Sequence, residues 1–166
     1  NETALPIIDN RNYTISPIQI NMNDELSEYL IVFDNEMNIK SFDLKSYKKI
    51  YFILLDNKDR SIKLDSKVID FKKKIITSQL KKSDLEIELL DDEGFISFIK
   101  KNTRFDVIYP SIGENFTFLK RLIKKSDLKV NFITRKEDEF CWKFSSKGYF
   151  NFKSNIPIIL STFKLN

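Results

Sequence analysis

The chain has 166 residues, of which 42% are hydrophobic and 31% charged, and this length and composition favour one globular domain. The net charge of +4 at pH 7 suits an acidic partner such as a nucleic acid, although a charge of this size more often serves solubility alone. Histidine is absent, which excludes histidine-based triads, histidine acid–base catalysis and histidine zinc sites within the chain.

Three features of the sequence bear on where the protein is located and on whether the chain is complete: the cysteine count, the length of the apolar runs and the first residue. Cys141 is the only cysteine and cannot form a disulfide within the chain, which favours a reducing, cytoplasmic location. No apolar run reaches the roughly 18 residues of a membrane span, so we expect none. Because the chain begins at Asn1 and not at methionine, a fragment of a longer chain is one interpretation.

The pattern over residues 1–48 predicts an N-terminal arm followed by antiparallel strands. Residues 1–12 show no periodicity, and the alternation over 13–20 predicts an edge strand. The apolar run at 29–33 and the segment 39–42 are separated by turn-forming residues, which predicts a hairpin.

Residues 49–134 alternate between strand-like and helix-like segments, which predicts a partly parallel α/β sheet of the Rossmann or flavodoxin type. The expected elements are strands at 50–55, 85–90, 105–109 and 129–134, and helices at 66–81, 93–101 and 113–124. The segment 91–101 also fits half of a hairpin, but a helix capped by Asp92 is preferred.

Paired lysines lie at the C-terminal ends of the expected helices, at 81–82, 100–101 and 124–125. Cations there complement the negative end of a helix dipole, and this interpretation is favoured by their regular placement. The alternative is a basic patch that contacts phosphates.

Residues 135–166 are predicted to form a hairpin and a last strand. The hairpin would pair 139–145 with 149–153, and the strand would cover 156–163. Phe140, Trp142 and Phe144 share one parity and would face inward; the alternative is an aromatic platform for nucleic-acid bases.

The apolar character of the strands predicts the spatial order 85–90, 50–55, 105–109, 129–134. The connections then reverse direction between the two middle strands, where open α/β sheets bind ligands. The loops at this point are 56–60 and 110–115, and the candidate ligand-binding residues are Asp56, Asn57, Ser111, Gly113 and Asn115. Ser111 and Glu114 have the spacing of a capping box, and a helix start attracts anions.

The expected function is a non-catalytic recognition module that binds a partner protein or a small anionic ligand at the 56–60/110–115 edge. No cofactor or metal is expected, and the balance is against an enzyme. One alternative is a nucleic-acid-binding domain or a metal-dependent nuclease, with Asp56, Asp59, Asp65 and Lys67 as its polar group. The other is one half of a larger transferase.

Overall fold

The computed structural model describes residues 26–80, 86–145 and 148–164, apart from the side chains of Asp59, Gln79 and Leu80. The predicted arm, the predicted strand at 13–20 and the lysine pair at 81–82 lie outside these residues.

In the part of the chain that the structure describes, five parallel strands form one sheet, which confirms the α/β class and the parallel core. The strands are β1 (Tyr29–Phe33), β2 (Lys49–Ile53), β3 (Ile87–Leu90), β4 (Arg104–Ile108) and β5 (Lys129–Ile133). Their order across the sheet is β3-β2-β1-β4-β5, and every neighbouring pair is parallel. This is the order of the first five strands of a Rossmann fold.

Within the described residues, five α-helices and two short 3₁₀ turns accompany the sheet. The helices are α1 (Ser66–Leu80), α2 (Asp92–Ile99), α3 (Glu114–Lys125), α4 (Lys136–Ser145) and α5 (Tyr149–Phe163). The 3₁₀ turns are Ile39–Ser41 and Asn57–Asp59.

The hairpin predicted over residues 29–42 is wrong. β1 is the central strand of the sheet, pairing in parallel with β2 on one side and β4 on the other. Residues Ile39–Ser41 form a 3₁₀ turn. The physical reason is visible in the run Tyr29–Phe33, which has no polar position; such a run suits a strand covered on both faces.

The C-terminal hairpin and last strand are also wrong, because α4 and α5 are helical. Phe140 and Phe144 lie four residues apart, a spacing that gives them one face of a helix as well as one face of a strand. Their ring centroids lie 5.4 Å apart. Trp142 instead contacts Tyr109, with 5.6 Å between the ring centroids.

The segment 91–101 contains a helix, as preferred. Its N-cap is Asp91, whose Oδ1 accepts a hydrogen bond of 2.7 Å from the backbone N–H of Gly94. The predicted cap, Asp92, is the first residue of α2 and is fully buried.

The core lies on both faces of the sheet. One face joins Phe33 and Phe105 to Phe95 of α2 and Phe118 of α3. The other face packs residues such as Val32, Phe52 and Ile76, the last from α1. Alternate residues of β1 therefore enter opposite layers, as the pleat of a strand requires.

Because β1 lies at the centre of the sheet, the point at which the chain reverses direction across the sheet differs from the predicted one. From β1 the chain proceeds to β2 and β3 on one side, and β4 and β5 lie on the other. The expected neighbours 50–55 and 105–109 are therefore separated by β1. The switch point, where Rossmann-type sheets bind ligands, lies between β1 and β4.

Candidate functional site

Asp34 follows β1 at the switch point and is the centre of a polar cluster. Its backbone N–H donates to the carbonyl of Ile53 at 3.0 Å, which extends the pairing of β1 with β2. The side chain is only 2% exposed. The amino group of Lys72 lies 2.5 Å from its Oδ2, and the Nη2 atom of Arg60 lies 3.7 Å from the same oxygen.

Asn115 connects the start of α3 to this cluster. Its Nδ2 donates to Asp34 Oδ1 at 2.8 Å and to Asn35 Oδ1 at 2.9 Å. Asn35 in turn donates through Nδ2 to the carbonyl oxygen of Pro110 at 2.7 Å. The segments that follow β1 and β4 are therefore joined across the switch point.

The orientation of the Asn115 amide is determined by these partners. Two oxygen acceptors, from Asp34 and Asn35, face its nitrogen, so a rotated amide would place oxygen against oxygen. The remaining atom, Oδ1, is buried and has no hydrogen-bond partner within the described protein. It can accept a hydrogen bond from a donor that enters the site.

Arg60 places a buried guanidinium beside Asp34. The residue is 8% exposed, and its Nε donates to the carbonyl of Leu55 at 3.1 Å. Its Nη2 lies within ion-pair distance of Asp34 but has no hydrogen-bond partner in the described structure. An arginine remains charged when buried, so this nitrogen can donate to an anionic oxygen.

The loop between β4 and α3 has an unusual backbone. Ser111 has a φ of 60° and Gly113 a φ of 148°, both in the region that disfavours most side chains. The N-cap of α3 is Gly113 and not Ser111, so the predicted capping box of Ser111 and Glu114 is wrong. Apart from Gly113 itself and its two chain neighbours, no described residue has an atom within 4 Å of the position that a Cβ at Gly113 would occupy. The backbone at the start of α3 is therefore open to close approach.

The two predicted loops lie side by side. The backbone N–H of Ser61 donates to Glu114 Oε2 at 3.1 Å, which links the segment after the 57–59 turn to the start of α3. The carboxylate of Glu114 is therefore engaged with the neighbouring loop.

The five predicted site residues have different surroundings. Asn115 belongs to the cluster, while Ser111 and Gly113 lie in the adjoining loop. Asn57 instead closes its own loop, since its Nδ2 donates to the Leu64 carbonyl at 2.7 Å and its Oδ1 accepts from the Leu64 N–H at 2.8 Å. Asp56 precedes the 3₁₀ turn as its N-cap without a side-chain capping bond.

Sequence reasoning did not name four residues of the cluster as candidates: Asp34, Asn35, Arg60 and Lys72. Of these, Arg60 lies in the predicted 56–60 loop. The available signal was the Asp-Asn pair directly after an entirely apolar run. Interpreted as a buried parallel strand, that run would have placed both polar residues at the carboxyl edge of the sheet.

Arg135 contacts several residues of the segment that follows Asp34. Its Nη2 lies 2.5 Å from Glu36 Oε2, its Nε donates to Ser41 Oγ at 2.9 Å, and its guanidinium lies 4.8 Å from the ring centroid of Phe42. These contacts join the loop after β1 to the start of α4, so one edge of the site is held by several interactions.

Neither a group of metal-ligating side chains nor a membrane-spanning helix is found in the described part of the chain. Across residues 26–80, 86–145 and 148–164, no three histidine, cysteine, aspartate or glutamate side chains are grouped to hold a metal ion. Asp65, a member of the suggested nuclease group, accepts at Oδ1 from the Lys67 N–H at 2.8 Å at the start of α1. No described helix has both the length and the apolar character to cross a bilayer.

Comparison of the chain with protein-family models, with curated proteins and with solved structures gave no significant match. The chemistry of the site is therefore inferred from its own residues.

Proposed function

We propose that this protein is a recognition module that binds a small anionic ligand at the carboxyl edge of its sheet, above β1 and β4. The binding groups are Arg60, Lys72 and Asn115, together with the open backbone at Gly113. The predicted edge of the sheet is retained, but the centre of the site moves from the 56–60 loop to the residue that follows β1.

The observation that carries the proposal is an excess of positive charge around one buried carboxylate. Lys72 and Arg60 both approach the same oxygen of Asp34, so two cations surround one anion. Asp34 and Arg60 are nearly inaccessible, and electrostatic interactions are stronger there than in water at the same distance. A second anion at this place would balance the cluster.

Two buried polar atoms support a particular class of ligand. Arg60 Nη2 can donate a hydrogen bond and Asn115 Oδ1 can accept one, and neither has a hydrogen-bond partner within the described protein. A buried polar group without a partner costs about 1–3 kcal/mol, so a ligand that satisfies both gains affinity. The matching chemistry is an anionic oxygen together with an O–H or N–H group, as in a phosphate monoester that carries a hydroxyl group or in a hydroxy acid.

The start of α3 also favours the binding of an anionic ligand. The first backbone N–H groups of a helix attract anions, and Gly113 leaves space for one to approach. Glu114 adds a negative charge there, but its Oε2 accepts from Ser61 N–H and so is directed to the neighbouring loop.

The test is titration calorimetry with inorganic phosphate and with a series of nucleoside monophosphates as probes. We expect at least one probe to bind, and Lys72→Gln to weaken that binding by about tenfold or more, because a charge-assisted hydrogen bond contributes about 1.5–3 kcal/mol. Lys73→Gln is the matched control. It removes an exposed lysine from the adjacent position of α1 and should leave the affinity unchanged.

The proposal fails if none of the probes binds at millimolar concentration. It also fails if Lys72→Gln, folded as judged by circular dichroism, binds as tightly as the original chain. The surface for a partner protein and the half-transferase interpretation have no observation of their own in the described residues, and both stay predictions.

A further inference from the structure

A second basic feature lies along α3 and shares only Gly113 with the binding groups proposed around Asp34. A groove of about 610 Å³ extends from the loop before the helix to its last turn. Its described lining consists of a cationic set and a smaller uncharged set: Lys120, Arg121, Lys124 and Lys125, with Ile112, Gly113, Phe116 and Thr117. No acidic side chain is among them.

Helix-end electrostatics explains only half of these cations. Lys124 and Lys125 occupy the last turn of α3, where positive charge complements the helix dipole. Lys120 and Arg121 lie one turn earlier, and the dipole effect falls off within the last turn. Their like charges, four residues from Lys124 and Lys125, weaken an isolated helix by repulsion. The Arg121 guanidinium also lies over the Phe118 ring, 5.3 Å from its centroid. A binding role gives a further reason for a second pair of cations on this helix.

The spacing of the cations suits a linear polyanion. Lys120 and Lys124 form one row, and Arg121 and Lys125 form a second row, with about 6 Å along the helix axis between members of a row. The helix is 12 residues long, or about 18 Å, which accommodates a short run of consecutive phosphates.

We propose that this groove binds the backbone of a single-stranded nucleic acid. A single strand is flexible enough to enter a concave groove along one helix, whereas a rigid duplex presents a broad cylinder. Apolar surface at one end would meet sugars or bases: Ile112 is 92% exposed, and Phe116 is half-buried beneath the Lys120 ammonium, 5.2 Å from its ring centroid. Because phosphate contacts dominate, little sequence preference is expected.

The test is fluorescence anisotropy with labelled oligo(dT) and oligo(U) of about 15 nucleotides, across a salt series. If the four cations each contact a phosphate, the affinity should fall about 50-fold between roughly 50 and 200 mM salt. The double variant K120Q/K124Q should bind at least about tenfold more weakly and should halve the salt dependence. Where one of the two oligonucleotides binds more tightly, oligo(dU) separates the effect of the sugar from that of the thymine methyl group.

The matched control is K100Q/K101Q, which removes two exposed lysines at the end of α2 and should bind as the original chain does. Lys72→Gln should also leave oligonucleotide binding intact, so failure here is distinguishable from failure of the small-ligand site. Absence of salt-dependent binding, equal binding by K120Q/K124Q, or equal affinity for a duplex of the same length would overturn the proposal. So would binding to phosphatidylserine vesicles without binding to either oligonucleotide.

Discussion

The centre of the sheet and the α4–α5 pair use the same residue types to opposite effect. In the centre, aromatic residues are buried almost completely: Phe33, Phe52, Phe95 and Phe105 are at most 1% exposed. In the helical pair, Phe150 is 82% exposed and Tyr149 67%. α4 has no buried residue, and in α5 only Ile159 is buried.

The difference arises from how many layers cover each region. The central strands lie between α2 and α3 on one face and α1 on the other, so both sets of alternating side chains are enclosed. α4 and α5 pack against each other, for example through Phe140 and Phe163, with ring centroids 5.3 Å apart. An aromatic residue therefore predicts burial only when the surrounding layers are known.

The largest expected effect comes from removing a central aromatic side chain. Phe95 contacts Phe33, Phe105 and Phe118, so Phe95→Ala should lower the free energy of unfolding by about 3–5 kcal/mol, measured by urea denaturation. Phe150→Ala makes the same chemical change at an exposed site and should alter it by less than about 0.5 kcal/mol. Similar losses in both variants would contradict the contrast between the two regions.

A smaller effect is expected where a polar pair is buried at the sheet. The hydroxyl of Tyr47 donates to Asp106 Oδ2 at 2.9 Å, and the Ser27 N–H donates to the same oxygen at 3.1 Å. Tyr47→Phe leaves this buried carboxylate with one donor fewer, so we expect a loss of about 1–2 kcal/mol. Tyr149→Phe, at an exposed tyrosine, is the control and should be neutral.

The hydrogen-bonded pair of Tyr47 and Asp106 also predicts that the stability of the protein depends on pH in the alkaline range. Burial, and then the carboxylate of Asp106, raise the pKa of Tyr47 above its ordinary 10.0. Above pH 10 the unfolded tyrosine releases its proton while the folded one keeps it, so stability falls as pH rises. In Tyr47→Phe, the free energy of unfolding should fall less steeply with pH, by up to about 1.4 kcal/mol per pH unit. Urea denaturation at a series of pH values above 10 measures this slope. A difference in unfolding free energy between the variant and the original chain that does not change with pH would contradict this. Tyr51 and Tyr109, whose pKa values burial also raises, retain part of the slope in both proteins.

The smallest global effect is expected from Pro157, inside α5. Proline removes a helical hydrogen bond, so Pro157→Ala should increase the hydrogen-exchange protection of α5 amides. Because this helix contributes little to the core, the urea midpoint should hardly move, and protection of β1 and β4 should stay the same. A large rise in global stability would show instead that α5 unfolds together with the sheet.

The candidate site was predictable from the sequence only in outline. The turn before Asn115 was identified from its glycine and from the helix that follows, both of which are local signals. Asp34, Arg60 and Lys72 come from three separate segments, and their meeting depends on which strands are neighbours. The assignment of 29–33 to a hairpin removed Asp34 from the carboxyl edge and concealed the cluster.

The sequence by itself determined the layers of the core. An entirely apolar strand at 50–55 and a mostly apolar one at 105–109, with amphipathic helices between strands, indicate a parallel sheet covered on both faces, because strands buried on both faces carry apolar residues at successive positions. Only the tertiary structure decided that β1 lies between β2 and β4, and that 136–163 is mainly helical. A hydrophobic pattern records how much of an element is buried and does not specify its neighbour, and aromatic residues spaced by two and four satisfy strand and helix alike.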